Sequence, residues 1–114
     1  MTAANIFLRA ISLIGYTGDS HIESMKQRAI PLINAAYIDV CRAKNIEFRP
    51  IKAMSDSLVL EEELALDVMV YGLAMFIAQS EGDDEISAFF CDLYNRKRGS
   101  LATSDRIIDV MPRG

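Results

Sequence analysis

The stretch Leu64-Ala65-Leu66-Asp67-Val68-Met69-Val70-Tyr71-Gly72-Leu73-Ala74-Met75-Phe76-Ile77-Ala78 decides the fold class of this chain. Wound at 3.6 residues per turn it leaves no polar face, and a helix that is apolar all round is buried all round. The run is shorter than the roughly 18–20 clean apolar residues that span a bilayer, and Asp67 interrupts it. The expectation is therefore a core helix, not a membrane span. Glu61, Glu62 and Glu63 precede it, where negative charge suits the positive end of the helix dipole. The helix is expected to continue to Ser80, with Gly82 at the position that closes it. Gly72 sits mid-helix, where glycine costs about 1 kcal/mol against alanine. A close approach by a second helix would account for it.

Working outward, the N-terminal side carries two more helical patterns. From Thr2 to Ile14, Ala3, Ile6, Phe7, Ala10, Ile11 and Ile14 fall on one face, and Gly15 with the Thr17-Gly18-Asp19 turn ends the helix. Ser20-His21-Ile22-Glu23 has the form of a capping box opening the second helix. Its stripe runs through Ile22, Met25, Ala29, Ile33, Ala36 and Val40, and Ala43 to Asn45 closes it. Pro31 lies inside and is expected to kink it at the preceding turn. Asn45 to Ser57 reads as a loop with a short strand-like segment around Ile46, Phe48 and Ile51.

On the C-terminal side, Asp83 or Asp84 caps a fourth helix packed through Ile86, Phe89, Phe90, Leu93 and Tyr94. Arg96, Lys97 and Arg98 fall in its expected last turn, and Gly99 is expected to stop it. The segment Ser100 to Gly114, with Leu101, Ile107, Ile108, Val110 and Met111, reads as extended and too short for a core of its own. The chain thus reads as an all-α bundle of about four helices, residues 1–99, followed by an extended tail, residues 100–114.

At 114 residues and 12.7 kDa there is room for one domain. An apolar fraction of 51% and a charged fraction of 25% exclude a disordered chain. The net charge of −4 argues against specific nucleic-acid binding, which leans on Lys and Arg. The charge is unevenly spread: no Lys or Arg occurs between Lys52 and Arg96, so one surface is expected to be acidic. The start of the chain lacks the pattern of a signal peptide, and two cysteines make no disulfide framework, so a reducing, cytosolic compartment is expected.

No residue pattern points to catalysis. Glu61–Glu63 and Asp83–Glu85 read as acids at helix N-termini, because neither matches a calcium loop or has a histidine nearby in sequence. Cys41 and Cys91 read as helical core cysteines, since His21 is the only histidine and nothing places it beside either. The glycines lack phosphate-loop spacing. No enzyme activity, cofactor or metal is expected. Arg96, Lys97 and Arg98 read as helix C-terminal bases or as a partner contact. The third helix needs cover on every side, either from the rest of the bundle or from a neighbouring subunit.

The residues also resemble a known group. The first helix carries Leu8-Arg9-Ala10-Ile11-Ser12-Leu13-Ile14-Gly15 and the second Ile33-Asn34-Ala35-Ala36-Tyr37-Ile38-Asp39-Val40. Leu58-Val59-Leu60 leads into Ala65-Leu66 and Tyr71-Gly72-Leu73-Ala74, and Ser80-Glu81-Gly82-Asp83 turns into a helix ending Tyr94-Asn95-Arg96-Lys97-Arg98. Ile108-Asp109-Val110-Met111-Pro112 closes the chain. This order resembles the head–tail connector (head-completion, adaptor) proteins of tailed bacteriophages and prophages, over nearly the whole chain. The resemblance implies a helical, non-enzymatic virion protein at the head–tail junction, formed in the host cytoplasm. It would bind the portal as a ring, dodecameric like the portal, and complete the DNA-filled head for the next connector or tail-completion protein; isolated proteins of this kind can be monomers. The segment implied to dock on the portal is Leu101 to Met111, with Leu101, Ile107, Ile108, Val110 and Met111 as contacts and Arg96, Lys97 and Arg98 flanking them. Two other readings stand beside it: a small cytosolic helical regulator or dimeric adaptor of bacterial origin, and an enzyme with a site in the loop Asn45–Ser57.

Overall fold

The computed structural model describes the backbone of residues 1–110 and the side-chain surroundings of residues 1–101. Helix α1, Ala3–Ile14, starts at Thr2, whose Oγ1 accepts the Asn5 N–H at 3.2 Å. Ala3, Ile6, Phe7, Ala10 and Ile11 form its buried stripe, as their spacing predicts. Gly15, at φ +89°, returns its N–H to the Ile11 carbonyl and ends the helix.

Helix α2, Asp19–Gln27, begins two residues earlier than the capping-box pattern requires. Gly18 occupies the cap, no side chain caps the helix, and Ser20 lies inside the first turn, so the box does not form. The kink expected from Pro31 is a full break. Arg28, at φ −105° and ψ 4°, separates α2 from helix α3, Ala29–Ala43. Pro31 then lies in the first turn of α3, where its missing N–H leaves no intrahelical bond unmade. Asn45 closes α3 in the left-handed region at φ +56°, with its N–H on the Arg42 carbonyl and the Ile46 N–H on the Cys41 carbonyl.

The connection from Asn45 to Glu61 has no strand; its one bridge pairs Thr2 with Ser57. It is nonetheless pinned. The Asn34 side chain accepts the Ile51 N–H at 2.9 Å and donates to the Ile51 carbonyl at 3.0 Å. The Asp56 and Met54 carbonyls accept the N–H groups of Ala3 and Ala4 at the start of α1. The Val59 N–H donates to the Tyr37 hydroxyl at 2.8 Å. Ile51, Leu58 and Leu60 are thereby held in the core.

Helix α4, Glu62–Ser80, lies at the centre and packs against α1 and α3. With its polar ends included it is 19 residues long, enough by length and composition to cross a membrane. It is the central helix, but only half of it is buried. Leu64, Leu66, Tyr71, Met75 and Phe76 are partly exposed, so it is not covered on every side as its apolar sequence leads one to expect. Ala65–Met69 forms a π turn within it. Its end is a Schellman closure: the Gly82 N–H reaches the Gln79 carbonyl and the Asp83 N–H the Ala78 carbonyl, with Gly82 at φ +78°.

Helix α5, Asp84–Val110, packs along α4. Here the structure corrects two expectations. Gly99 does not stop the helix, and the segment from Ser100 to Val110 is helical, not extended. A glycine costs about 1 kcal/mol in a helix, which is too little to end one flanked by Arg96, Lys97, Arg98, Leu101 and Ala102, all good helix formers. Nor does a break separate residues 1–99 from the segment after them. Phe89 is also not core: it is 61% exposed, while Phe90 and Tyr94 are buried. The fold is a small all-α bundle, with five helices among the described residues and α4 at its centre.

Candidate functional site

The three consecutive bases near the middle of α5 point three ways, because successive helical residues are about 100° apart. Arg96 pairs with Asp92 at 2.8 Å, one turn back and largely in solvent. Lys97 lies with its Nζ 4.6 Å from the centre of the Tyr71 ring, a cation–π contact against α4. Arg98 reaches Asp39 on α3 at 2.7 Å, and the Tyr94 hydroxyl donates to the same carboxylate at 2.5 Å. These bases are thus neither the last turn of a helix nor one patch, and Arg98 and Lys97 bind α5 to the bundle. Leu101 is half-buried and packs against the core. The side chains of Ile107, Ile108 and Val110, and the whole of Met111, lie outside the described residues.

The acids read as helix-start residues sit at helix starts. Glu61 precedes α4, with Glu62 and Glu63 in its first turn, and Asp84 and Glu85 occupy the first turn of α5. Asp83 has a further role: its carboxylate accepts the Tyr16 hydroxyl, and burial and this carboxylate push the Tyr16 phenol well above its ordinary value. Glu81 beside it takes His21 Nε2 at 2.5 Å and Arg28 Nη2 at 2.7 Å. The α4–α5 turn is therefore clamped to the α1–α2 turn and to the α2–α3 break.

His21 faces Glu81, and Cys41 is buried in α3, where burial pushes its thiol above the ordinary range and away from the reactive thiolate. No group of three or more His, Cys, Asp or Glu that could hold a metal occurs among the described residues. The polar contacts join helix to helix and turn to turn.

Part of the surface of the described residues is apolar. Leu8, Leu13, Val59 and Phe89 are the large apolar side chains that stand 42–61% exposed. Leu13 and Phe89 flank a shallow cleft between α1 and α5, and Leu13 continues into a hollow with Arg9, Leu66, Val70 and Tyr71. Val59 borders a cleft of about 450 Å³ between the connecting loop, the start of α4 and Leu101. Glu61, Glu63 and Asp67 stand on its wall with Lys44, while Leu64 and Val68 also line it.

Sequence reasoning missed Phe89 as a surface residue, although a signal was there. Glu85, Phe89, Asp92 and Arg96 share one helical face, and the other three are charged. No protein-family model matches the chain, and neither a curated protein nor a solved structure does.

Proposed function

We propose that this chain is a structural protein of the head–tail connector of a tailed bacteriophage or prophage. It binds the portal as a ring, dodecameric like the portal, and completes the DNA-filled head for the next connector or tail-completion protein. It acts without enzyme activity or cofactor, within the virion, after synthesis in the host cytoplasm. One observation carries the reading: the short motifs behind the resemblance are the ones that join the helices of this domain. Gly72 of the Tyr71–Ala74 motif is where Tyr94 lies against α4. Glu81 and Asp83 of the turn motif hold His21, Arg28 and Tyr16. Tyr94 and Arg98 of the last motif meet on Asp39. A resemblance carried by residues that set helix packing supports a shared architecture, and an architecture that leaves Leu8, Leu13, Val59 and Phe89 exposed suits assembly better than turnover.

The segment after Gly99, helical as far as Val110, is the proposed portal-docking element, with Leu101, Ile107, Ile108, Val110 and, beyond the described residues, Met111 as contacts. The test is deletion of the gene in the phage or prophage that encodes it. Accumulation of tailless heads that lose their DNA is the expected result, restored by the full chain and not by a chain lacking residues 102–114. Normal tailed virions from the deletion would refute the reading.

A further inference from the structure

Helix α4 separates two unlike surfaces. Leu66 and Val70 face the hollow beside Leu13, while Leu64 and Val68 line the cleft beside Val59. The first surface is a ridge: Leu13 is 42% and Phe89 61% exposed, with Tyr71 behind them and Arg9 and Lys97 alongside. Glu85 lies next to Phe89 as its acid. The second is concave and acidic, with Val59 at its mouth and Glu61, Glu63 and Asp67 on its wall beside Lys44.

The charges matter because they are left over from the ion pairs that hold the domain, although Lys97 also rests on the Tyr71 ring. Arg9 and Lys97 form no ion pair among the described residues, and neither do Glu61, Glu63 and Asp67. Elsewhere the chain pairs its charges readily, as at Arg28–Glu81 and Arg98–Asp39. The ridge carries two bases to the one acid Glu85, and the cleft three acids to the one base Lys44, so ridge against ridge or cleft against cleft opposes like excess charge. Ridge into cleft opposes Arg9 and Lys97 to the three acids and takes Leu13 and Phe89 out of water.

We infer that a second copy of this chain is the occupant: the Leu13–Phe89 ridge of one copy seats in the acid-walled Val59 cleft of the next. Each copy then keeps one free ridge or one free cleft, so the contact is head-to-tail and repeats. Such contacts close into a ring or run on as a filament, according to the rotation between the two surfaces. The inference deepens the connector reading and rests on it for the assembly it serves, and it names the surfaces that join the copies.

The test uses the full chain, in sedimentation velocity up to about 1 mM. The chain is expected to associate with rising concentration and to dissociate as salt is raised to about 0.5 M. Two variants each remove one surface at exposed positions: Phe89→Glu on the ridge, and Val59→Lys with Asp67→Lys at the cleft. Each alone is expected to stay monomeric, with circular dichroism melting like the parent; Leu13→Glu replaces Phe89→Glu if that variant melts early. Mixed together, the two variants are expected to form one-to-one dimers and grow no further, because one intact ridge meets one intact cleft. A parent that stays monomeric throughout, variants that assemble as the parent does, or a mixture that remains monomeric would each overturn the inference. None of these outcomes touches the connector reading, which stands or falls on the gene deletion.

Discussion

Gly72 sits where the Tyr94 ring crosses α4. A Cβ there would lie 2.7 Å from Tyr94 Cε1 and 2.9 Å from Cζ, closer than such atoms come. The ring cannot simply withdraw, because its hydroxyl is held on Asp39, which Arg98 also holds. Gly72→Ala is therefore expected to lower stability by about 1–3 kcal/mol, even though alanine is the better helix former. Urea denaturation checks this, and a variant as stable as the parent would show that the ring gives way. Glu81 works through charge. The hydrogen bond from His21 holds its carboxyl below the ordinary carboxylate value, with help from Arg28 and against the burial that pushes it up. A carboxyl depressed in the folded state contributes stability that is present above its unfolded value, near 4.5, and is lost as pH falls through the folded value. Glu81→Gln is expected to melt below the parent at neutral pH, and the gap between their melting temperatures should close on acidification below that window. A gap that persists at low pH would mean that the charge is not what holds the turn.

At the scale of the element, α5 shows how one position on a helix separates core from surface. Ile86, Phe90, Leu93, Tyr94, Lys97 and Leu101 follow the inward stripe at helical spacing, and Phe89 falls one residue off it. Phe90 meets Tyr71 at 6.3 Å between ring centres and Phe89 edge-on at 5.2 Å, so Phe89 rests on the core without entering it. Phe90→Ala is expected to cost roughly 3–5 kcal/mol. Phe89→Ala should change stability by no more than about 1 kcal/mol, as at an ordinary surface site. Thermal melts of the pair decide it: equal losses would place both rings in the core. In the α2–α3 segment, Pro31 is accommodated by starting a new helix at Ala29, where an absent N–H leaves no bond unmade.

For the whole molecule, the buried cluster among the described residues is drawn from between Ala3 and Tyr94, with Leu101 packed against its edge. Helix α5, by contrast, runs for about 40 Å, and the molecule measures 56 × 30 × 18 Å. Removing residues 102–114 is thus expected to leave the helical domain folded, with a melting temperature within a few degrees of the parent, since about 1 kcal/mol moves a domain of this size by roughly 4–8 °C. Differential scanning calorimetry checks it. A collapse of the transition would make the last part of α5 a structural member of the core. If the truncated chain folds but fails to bind portal-bearing heads, the segment acts as a docking element, as the connector reading requires.

Residue periodicity alone determined that this chain is helical, where α1 lies, that the stretch from Leu64 to Ala78 is the centre, and that Gly82 and Asn45 close their helices. Apolar spacing and backbone permissiveness are local properties, written at short range along the chain. The same local reading raised Gly72 as a place of close approach, but only packing could supply Tyr94 as the reason. Tertiary structure alone decided the rest. Gly99 stays helical because its roughly 1 kcal/mol penalty is outweighed by the good helix formers on either side of it and by the packing of α5 on α4, from Phe90 to Leu101. Phe89 faces water because the inward direction of α5 is set by its neighbours, not by its own apolarity. The contacts of His21, Arg28, Tyr16 and Asp39 join residues 53–67 positions apart. Such pairings exist only when helices far apart in sequence come to lie side by side, so neither composition nor spacing along the chain can reveal them.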